Sequence, residues 1–265
     1  MFKFEDNKCY QMPAHFGGYI YDPGQELYYH DAISLNYTYS TDGDRLADYL
    51  PEGFELIRPE LNVSYNQLRE IDWMAGSSYN LIDIGVPARF NGRRDRMEGT
   101  FNLVTWENKT EPILGGREQT GVPKIYADIE DLHKIQQNYF TNASFEGNTF
   151  LHLEMIGVQP VEGLELAQMK TLLADRKLFG WRYIPKVGGP GAELSQPILY
   201  PQRCELNRAW RGRGTVQWTQ LKPQQNPTQW HIIQALAELP MIEPAPVTML
   251  KAVVILKPAQ ARVLE

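Results

Sequence analysis

Apolar and polar positions alternate along much of this chain with the period of strands. Residues 32–41, AISLNYTYST, are rich in β-branched and aromatic side chains, which suit a pleated, half-buried surface. LIDIGVPARFNG (81–92) and TFNLVTW (100–106) predict two further strands, separated by the charged turn GRRDRMEG. KIYADI (124–129) is strand-like, and NASFEGNTFLHLEMIGV (142–158) predicts a hairpin turning near Gly147–Asn148. TVQWTQL (215–221) and TMLKAVVILKP (248–258) add strands near the end. The helical period is rarer. TDGDRLADYLPEGFEL (41–56) holds a short helix stopped at Pro51–Gly53. In GLELAQMKTLLADRKLF (163–179), Leu164, Leu166, Met169, Leu172 and Leu173 recur near a helical period. NPTQWHIIQALAELP (226–240) predicts a helix with Thr228 as its N-cap and Pro240 just past its end. Many strands, few helices and no regular alternation of the two predict an α+β fold built on a mainly antiparallel sheet or barrel. No repeat, low-complexity tract or long linker divides the chain, so one domain is expected over residues 1–265.

Composition narrows the partners. At 265 residues with 43% hydrophobic content the chain can bury a substantial core. A formal net charge of −6 argues against nucleic acid or an anionic membrane as a general partner. Cys9 and Cys204 lie far apart and suggest neither a disulfide scaffold nor a zinc site. The N-terminal MFKFEDNKCY carries acidic residues where a secretion signal needs an apolar run. No segment approaches the roughly 18 apolar residues that span a bilayer. The expectation is a soluble, cytoplasmic protein.

Most chemical motifs are missing. KVGGPGAE and RGRGTV contain glycines without a phosphate-binding pattern, and turns explain them. His152 and Glu154 share a strand face, but no second cluster supports a metal, and no metal or other cofactor is expected. NRAWRGRGTVQWTQLK interleaves Arg208, Arg211 and Arg213 with Trp210 and Trp218. On an acidic chain this reads better as a strand with buried tryptophans and a solvated arginine face than as a nucleic-acid surface.

One stretch stands apart. In LGGREQTGVPKIYAD (114–128), glycines, a proline and the pair Arg117–Glu118 lead to Lys124 and then to an apolar run. A lysine there is ordinarily a solvated surface residue. It gains chemistry only in a dry pocket, where the amine loses its proton and becomes a nucleophile.

GGREQTGVPK resembles the signature of the acetoacetate decarboxylase family, in which Gly-Arg-Glu is followed by a Pro-Lys pair. YSTDGDRLADYLPEGFEL, SYNLIDIGVPARFNG, YIPKVGG and NRAWRGRG are similar to other segments of that family in the same order. The resemblance implies an antiparallel β-barrel or cone with flanking helices around a central pocket, in a homo-oligomer. It also implies a lysine, here Lys124, that forms a protonated imine with the ketone of a small oxo acid. An unperturbed lysine is neutral in only about one molecule in 2,500 at pH 7, so its pKa has to fall.

The departures bear on the reaction. Ile125 stands where the family's decarboxylases carry a second lysine, which leaves burial, with Arg117 as a further cation and Glu118 opposing it, as the expected device for lowering the pKa. Ala32 falls near the position of a substrate-binding arginine, and Asn66 and Leu81 near pocket glutamates. Asn66, Glu70 and Tyr79, with Arg117 and Glu118, are the candidates for binding substrate or moving a proton. Strict acetoacetate decarboxylation is thereby weakened relative to aldolase- or dehydratase-type chemistry on another oxo acid. The rival is a non-catalytic protein that keeps the pocket for a small ligand, and an exposed Lys124 is the feature that would favour it.

Overall fold

The structure is a computed structural model that describes residues 2–18 and 24–265. Its main strands are β1 (Leu27–Ser40), β2 (Glu60–Ile71), β3 (Ser77–Asn91), β4 (Arg96–Glu107), β5 (Lys124–Tyr126), β6 (Asn138–Phe145), β7 (Asn148–Val161), β8 (Arg176–Pro185), β9 (Ala192–Trp218) and β10 (Val247–Leu256). The helices are α1 (Gly43–Ala47), α2 (Thr110–Thr120), α3 (Gly163–Leu173) and α4 (Trp230–Ala237). Hydrogen bonding runs β8–β4–β3–β2–β1–β10–β9 and returns to β8, so these strands form a ring. Its links are antiparallel apart from the parallel β8–β4 seam, where Leu178 meets Thr100 and Phe179 meets Phe101. The 27-residue β9 continues past the ring to pair with β7, and β7 pairs with β6, forming a side sheet.

Strand alternation sends successive side chains to opposite faces, and here both faces are covered. Leu35, Val63, Tyr65, Ile82, Ile84, Val104 and Trp106 point outward from the ring into the main core. Phe150, Leu153 and Met155 of the side sheet and Ile233 and Leu236 of α4 complete it. Their neighbours in sequence, Ser34, Asn36, Ser64, Asn66, Asp83, Thr105 and Glu107, line a cavity. The α+β class and the predominance of antiparallel strands agree with the pattern of the sequence.

Several local expectations need correction. The N-cap of α4 is Gln229 rather than Thr228, and no side chain caps that end. Gln229 is instead buried, accepting from Trp106 Nε1 at 2.9 Å and donating to the Tyr126 carbonyl at 2.8 Å. The helix expected over 163–179 stops at Leu173, and the chain re-enters the sheet at Arg176. RGRG is not a turn but part of β9: a Cβ at Gly212 or Gly214 would lie 2.6 or 2.2 Å from a backbone oxygen of β7. Glycine there permits close backbone approach. The hairpin between β6 and β7 turns as expected, with Glu146 and Gly147 at positive φ. Trp210 and Trp218 pack against the core while Arg208, Arg211 and Arg213 are exposed, which is the strand reading of that stretch. No helix among the described residues is long and apolar enough to cross a membrane.

Candidate active site

The cavity, about 440 Å³, is built from rows of side chains running across the ring. Residues directly opposite one another on paired strands share a face. One row therefore reads Thr248, Asn36, Ser64, Asp83, Thr105 and Lys124 across β10, β1, β2, β3, β4 and β5. The next reads Leu250, Ser34, Asn66, Leu81 and Glu107. Hydrogen bonds run along each row, with Ser34 Oγ donating to Asn66 Oδ1 at 2.5 Å and Ser64 Oγ to Asn36 Oδ1 at 2.8 Å, and Asn66 Nδ2 joins the two rows by donating to Ser64 Oγ at 3.1 Å.

Lys124 reaches this interior because of the segment before it. Thr110–Thr120 is helical, an element that the sequence pattern does not predict, since Pro112, Gly115 and Gly116 interrupt any helical period. Pro112 sits in the first turn, where its missing N–H costs nothing. Gly121, at φ 65°, ends the helix in the left-handed conformation that glycine adopts freely, with its N–H on the Gly116 carbonyl. Val122 and Pro123 then deliver Lys124 to the sheet, beside Thr105. A Cβ on Gly116 would stand 2.5 Å from Cδ and Cε of Lys124, so the lysine passes through space that only glycine leaves free.

The Lys124 side chain is 12% exposed and that of Glu107 is 0% exposed, with Nζ 2.8 Å from Glu107 Oε1. Nζ also donates to the Pro112 carbonyl at 3.0 Å. Apart from the lysine contact, neither Glu107 oxygen has a hydrogen-bond donor among the described residues. Burial pulls the Lys124 pKa down, but Glu107, Tyr29 and Asp83 outweigh it and hold the amine above the ordinary lysine value. The expectation that burial would leave Lys124 with a lowered pKa is therefore corrected by a carboxylate the sequence reading overlooked. Burial raises the pKa of Glu107 against the pull of Lys124. It raises that of Asp83 as well, against the hydrogen bond from Thr105 Oγ1 at 2.6 Å.

The other candidates divide. Asn66 and Tyr79 line the cavity, and the Tyr79 hydroxyl donates to Tyr29 at 3.3 Å. Burial raises the pKa of both tyrosines. Arg117 lies outside the cavity, donating to the backbone carbonyl of Lys124 at 2.8 Å and lining a second, smaller hollow with Ile125. It fixes the strand and adds no charge beside the amine. Ile125 follows Lys124 on the opposite strand face and packs on the core. Glu118 is not among the cavity-lining residues, and Glu70 is exposed at positive φ where β2 shifts register. Glu107, Asp83 and Tyr29 were missed. The available signal was a carboxylate within or ending an apolar strand, LIDIGV and FNLVTWE. No group of metal-binding side chains occurs among the described residues.

The family model described as acetoacetate decarboxylase matches residues 11–255. The acetoacetate decarboxylase of Burkholderia cenocepacia is 27% identical over 213 residues, 80% of this chain and 78% of its own. That of Burkholderia vietnamiensis is 28% identical over 207 residues, 78% of this chain and 76% of its own. Among solved structures, Legionella pneumophila acetoacetate decarboxylase superposes with a TM-score of 0.74 at 18% identity, covering 91% of this chain and 88% of that one. The enduracididine biosynthesis enzyme MppR, complexed with pyruvate, gives 0.73 at 14% identity, covering 97% of each. On the match over residues 11–255, this chain belongs to the acetoacetate decarboxylase family.

Proposed function

We propose that this protein is a carbon–carbon lyase that forms an imine between Lys124 and a small oxo acid. The observation that carries the reading is the enclosed Lys124 amine in contact with Glu107. The acetoacetate decarboxylases among its relatives support a lyase of this type.

The pair provides its own proton cycle. Proton transfer from Lys124 to Glu107 leaves a neutral amine and a carboxylic acid without exchange with solvent. The amine nitrogen attacks the carbonyl carbon, its proton passes to the alkoxide, and Glu107 protonates the resulting hydroxyl, which leaves as water. A protonated imine and a Glu107 carboxylate remain. The imine is an electron sink: in decarboxylation the C–C electron pair flows into it, releasing CO2 and leaving an enamine that takes up a proton. In an aldol reaction a carboxylate removes an α-proton, the enamine attacks an aldehyde, and an acid protonates the new alkoxide. Glu107 and Asp83 supply the two proton-moving groups that the aldol branch needs, and both lie in the cavity.

Borohydride reduction after incubation with acetoacetate, pyruvate or longer oxo acids, followed by peptide mass mapping, tests the reading. An adduct on Lys124 is expected, and Lys124→Ala should lose both adduct and turnover while keeping its fold. Turnover that survives Lys124→Ala would rule out imine chemistry at this residue.

A further inference from the structure

The cavity contains cations that the imine cycle does not use. Arg176, the first residue of β8, and Lys257, just past β10, both line it. Neither forms an ion pair among the described residues; Arg93, Arg96, Arg117, Arg182, Arg208 and Arg213 share that state, but none of those six lines the cavity. Arg176 is exposed while Lys124 is enclosed. The Arg176 charge nevertheless reaches the interior, drawing down the otherwise raised pKa values of Asp83, Tyr200 and Cys204. Glu111 of α2 is the exposed carboxylate on the same wall.

Polarity thus changes sign through the cavity. Beside Lys124 stand two carboxyl groups, the buried Glu107 and the half-buried Asp83. A substrate carboxylate held close to the reacting carbonyl would meet them, and like charges out of water repel strongly. A carboxylate farther from the carbonyl can reach the Arg176 guanidinium instead, a group that binds carboxylates in a two-pronged geometry. The interior, about 440 Å³, also offers apolar wall for the carbon chain of such a molecule, from Leu68, Leu81, Leu250 and Val254.

We propose that Arg176 is the carboxylate-docking residue of this cavity, and that its preferred substrates are oxo acids whose carboxylate lies several carbons from the reacting carbonyl. This rests on the imine reading for the carbonyl end only. The arginine that the family resemblance puts near Ala32 is absent, and Arg176 takes its task from a different strand.

The test compares 3-oxobutanoate, 4-oxopentanoate, 5-oxohexanoate and 6-oxoheptanoate with uncharged methyl ketones of matching length. The concentration giving half-maximal borohydride trapping is measured for wild type, Arg176→Gln and Arg176→Lys. In wild type the preference for acid over ketone should grow along the series beyond 3-oxobutanoate. Arg176→Gln should reduce that preference roughly tenfold for the longer acids, the size expected for one partly exposed charge-assisted hydrogen bond, and Arg176→Lys should restore part of it. Hexanoate, which has no ketone to form an imine, separates the two readings: calorimetric binding should weaken roughly tenfold in Arg176→Gln whether or not any adduct forms. Loss of trapping by every compound with hexanoate binding still dependent on Arg176 would remove the imine and leave the docking residue. Acid preference and hexanoate binding unchanged in Arg176→Gln, or strongest trapping with 3-oxobutanoate, would overturn the proposal.

Discussion

An amine and a carboxylate 2.8 Å apart and shielded from water exchange a proton more readily with each other than with solvent, and in this chain they are Lys124 and Glu107. The sign of the pH effect follows. The carboxylate holds Lys124 above the ordinary lysine value against the opposing effect of burial. Glu107→Gln removes the charge and leaves burial acting, so the Lys124 pKa should fall and the acid limb of the trapping profile should move to lower pH. The same change removes the proton acceptor, and the plateau rate should drop by roughly a hundredfold. An acid limb that stays in place in Glu107→Gln would mean that the two groups are not coupled. Gly116 gives a second expectation. Alanine there favours the helix by about 1 kcal/mol, yet its methyl would occupy the path of Lys124. Gly116→Ala should therefore keep near-native circular dichroism and lose trapping at Lys124. Lys124 was legible as a candidate because its motif is local in sequence. Its partner was not, since Glu107 comes from another strand and only the pairing of β4 with β5 brings them together.

At the scale of elements, alternation revealed most strands, and the misreadings cluster where glycine and proline serve packing rather than turning. The glycines of α2 left its helix without a legible period, and Gly212 and Gly214 divided the continuous β9 into a turn and a shorter strand. The reverse occurred after Leu173, where an apolar period continued past the helix because β8 begins almost at once. The helix end at Gln229 carries a prediction. Its side chain joins α4 to Trp106 of β4 and to the Tyr126 backbone of β5, the strand that Lys124 opens. Gln229→Ala deletes both bonds and strands a buried indole N–H. A loss of about 2–4 kcal/mol in denaturant unfolding is expected, and a change below about 0.5 kcal/mol, the scale of a neutral surface substitution, would show that the link does not brace the sheet.

For the molecule as a whole, acid stability is set partly far from the cavity. The Arg262 guanidinium, then the Glu265 backbone N–H, hold Asp95 down to about 2. An unfolded aspartate titrates near 3.9, so the folded pKa is the lower one. The contribution is complete above that unfolded value and disappears as the pH falls toward the folded one. Asp95→Asn should be less stable than wild type at neutral pH, with the gap in thermal midpoint narrowing as the pH drops from about 5 to about 2. Equal midpoints at neutral pH would show that the C-terminal residues are not fastened through Asp95. The ring itself was legible as an antiparallel sheet, but its closure was not: the β8–β4 seam joins strands distant in sequence through two residue pairs, and no local pattern marks it. The space vacated at Gly116 has one more consequence. A lysine side chain carries about 2 kcal/mol of rotamer entropy, which a surface lysine surrenders when it bonds to a substrate. Lys124 is threaded past its helix on folding, so much of that disorder is already gone before any ligand arrives. If the full amount were spared at the chemical step, the rate would gain about 30-fold, with the cost borne by the stability of the folded chain.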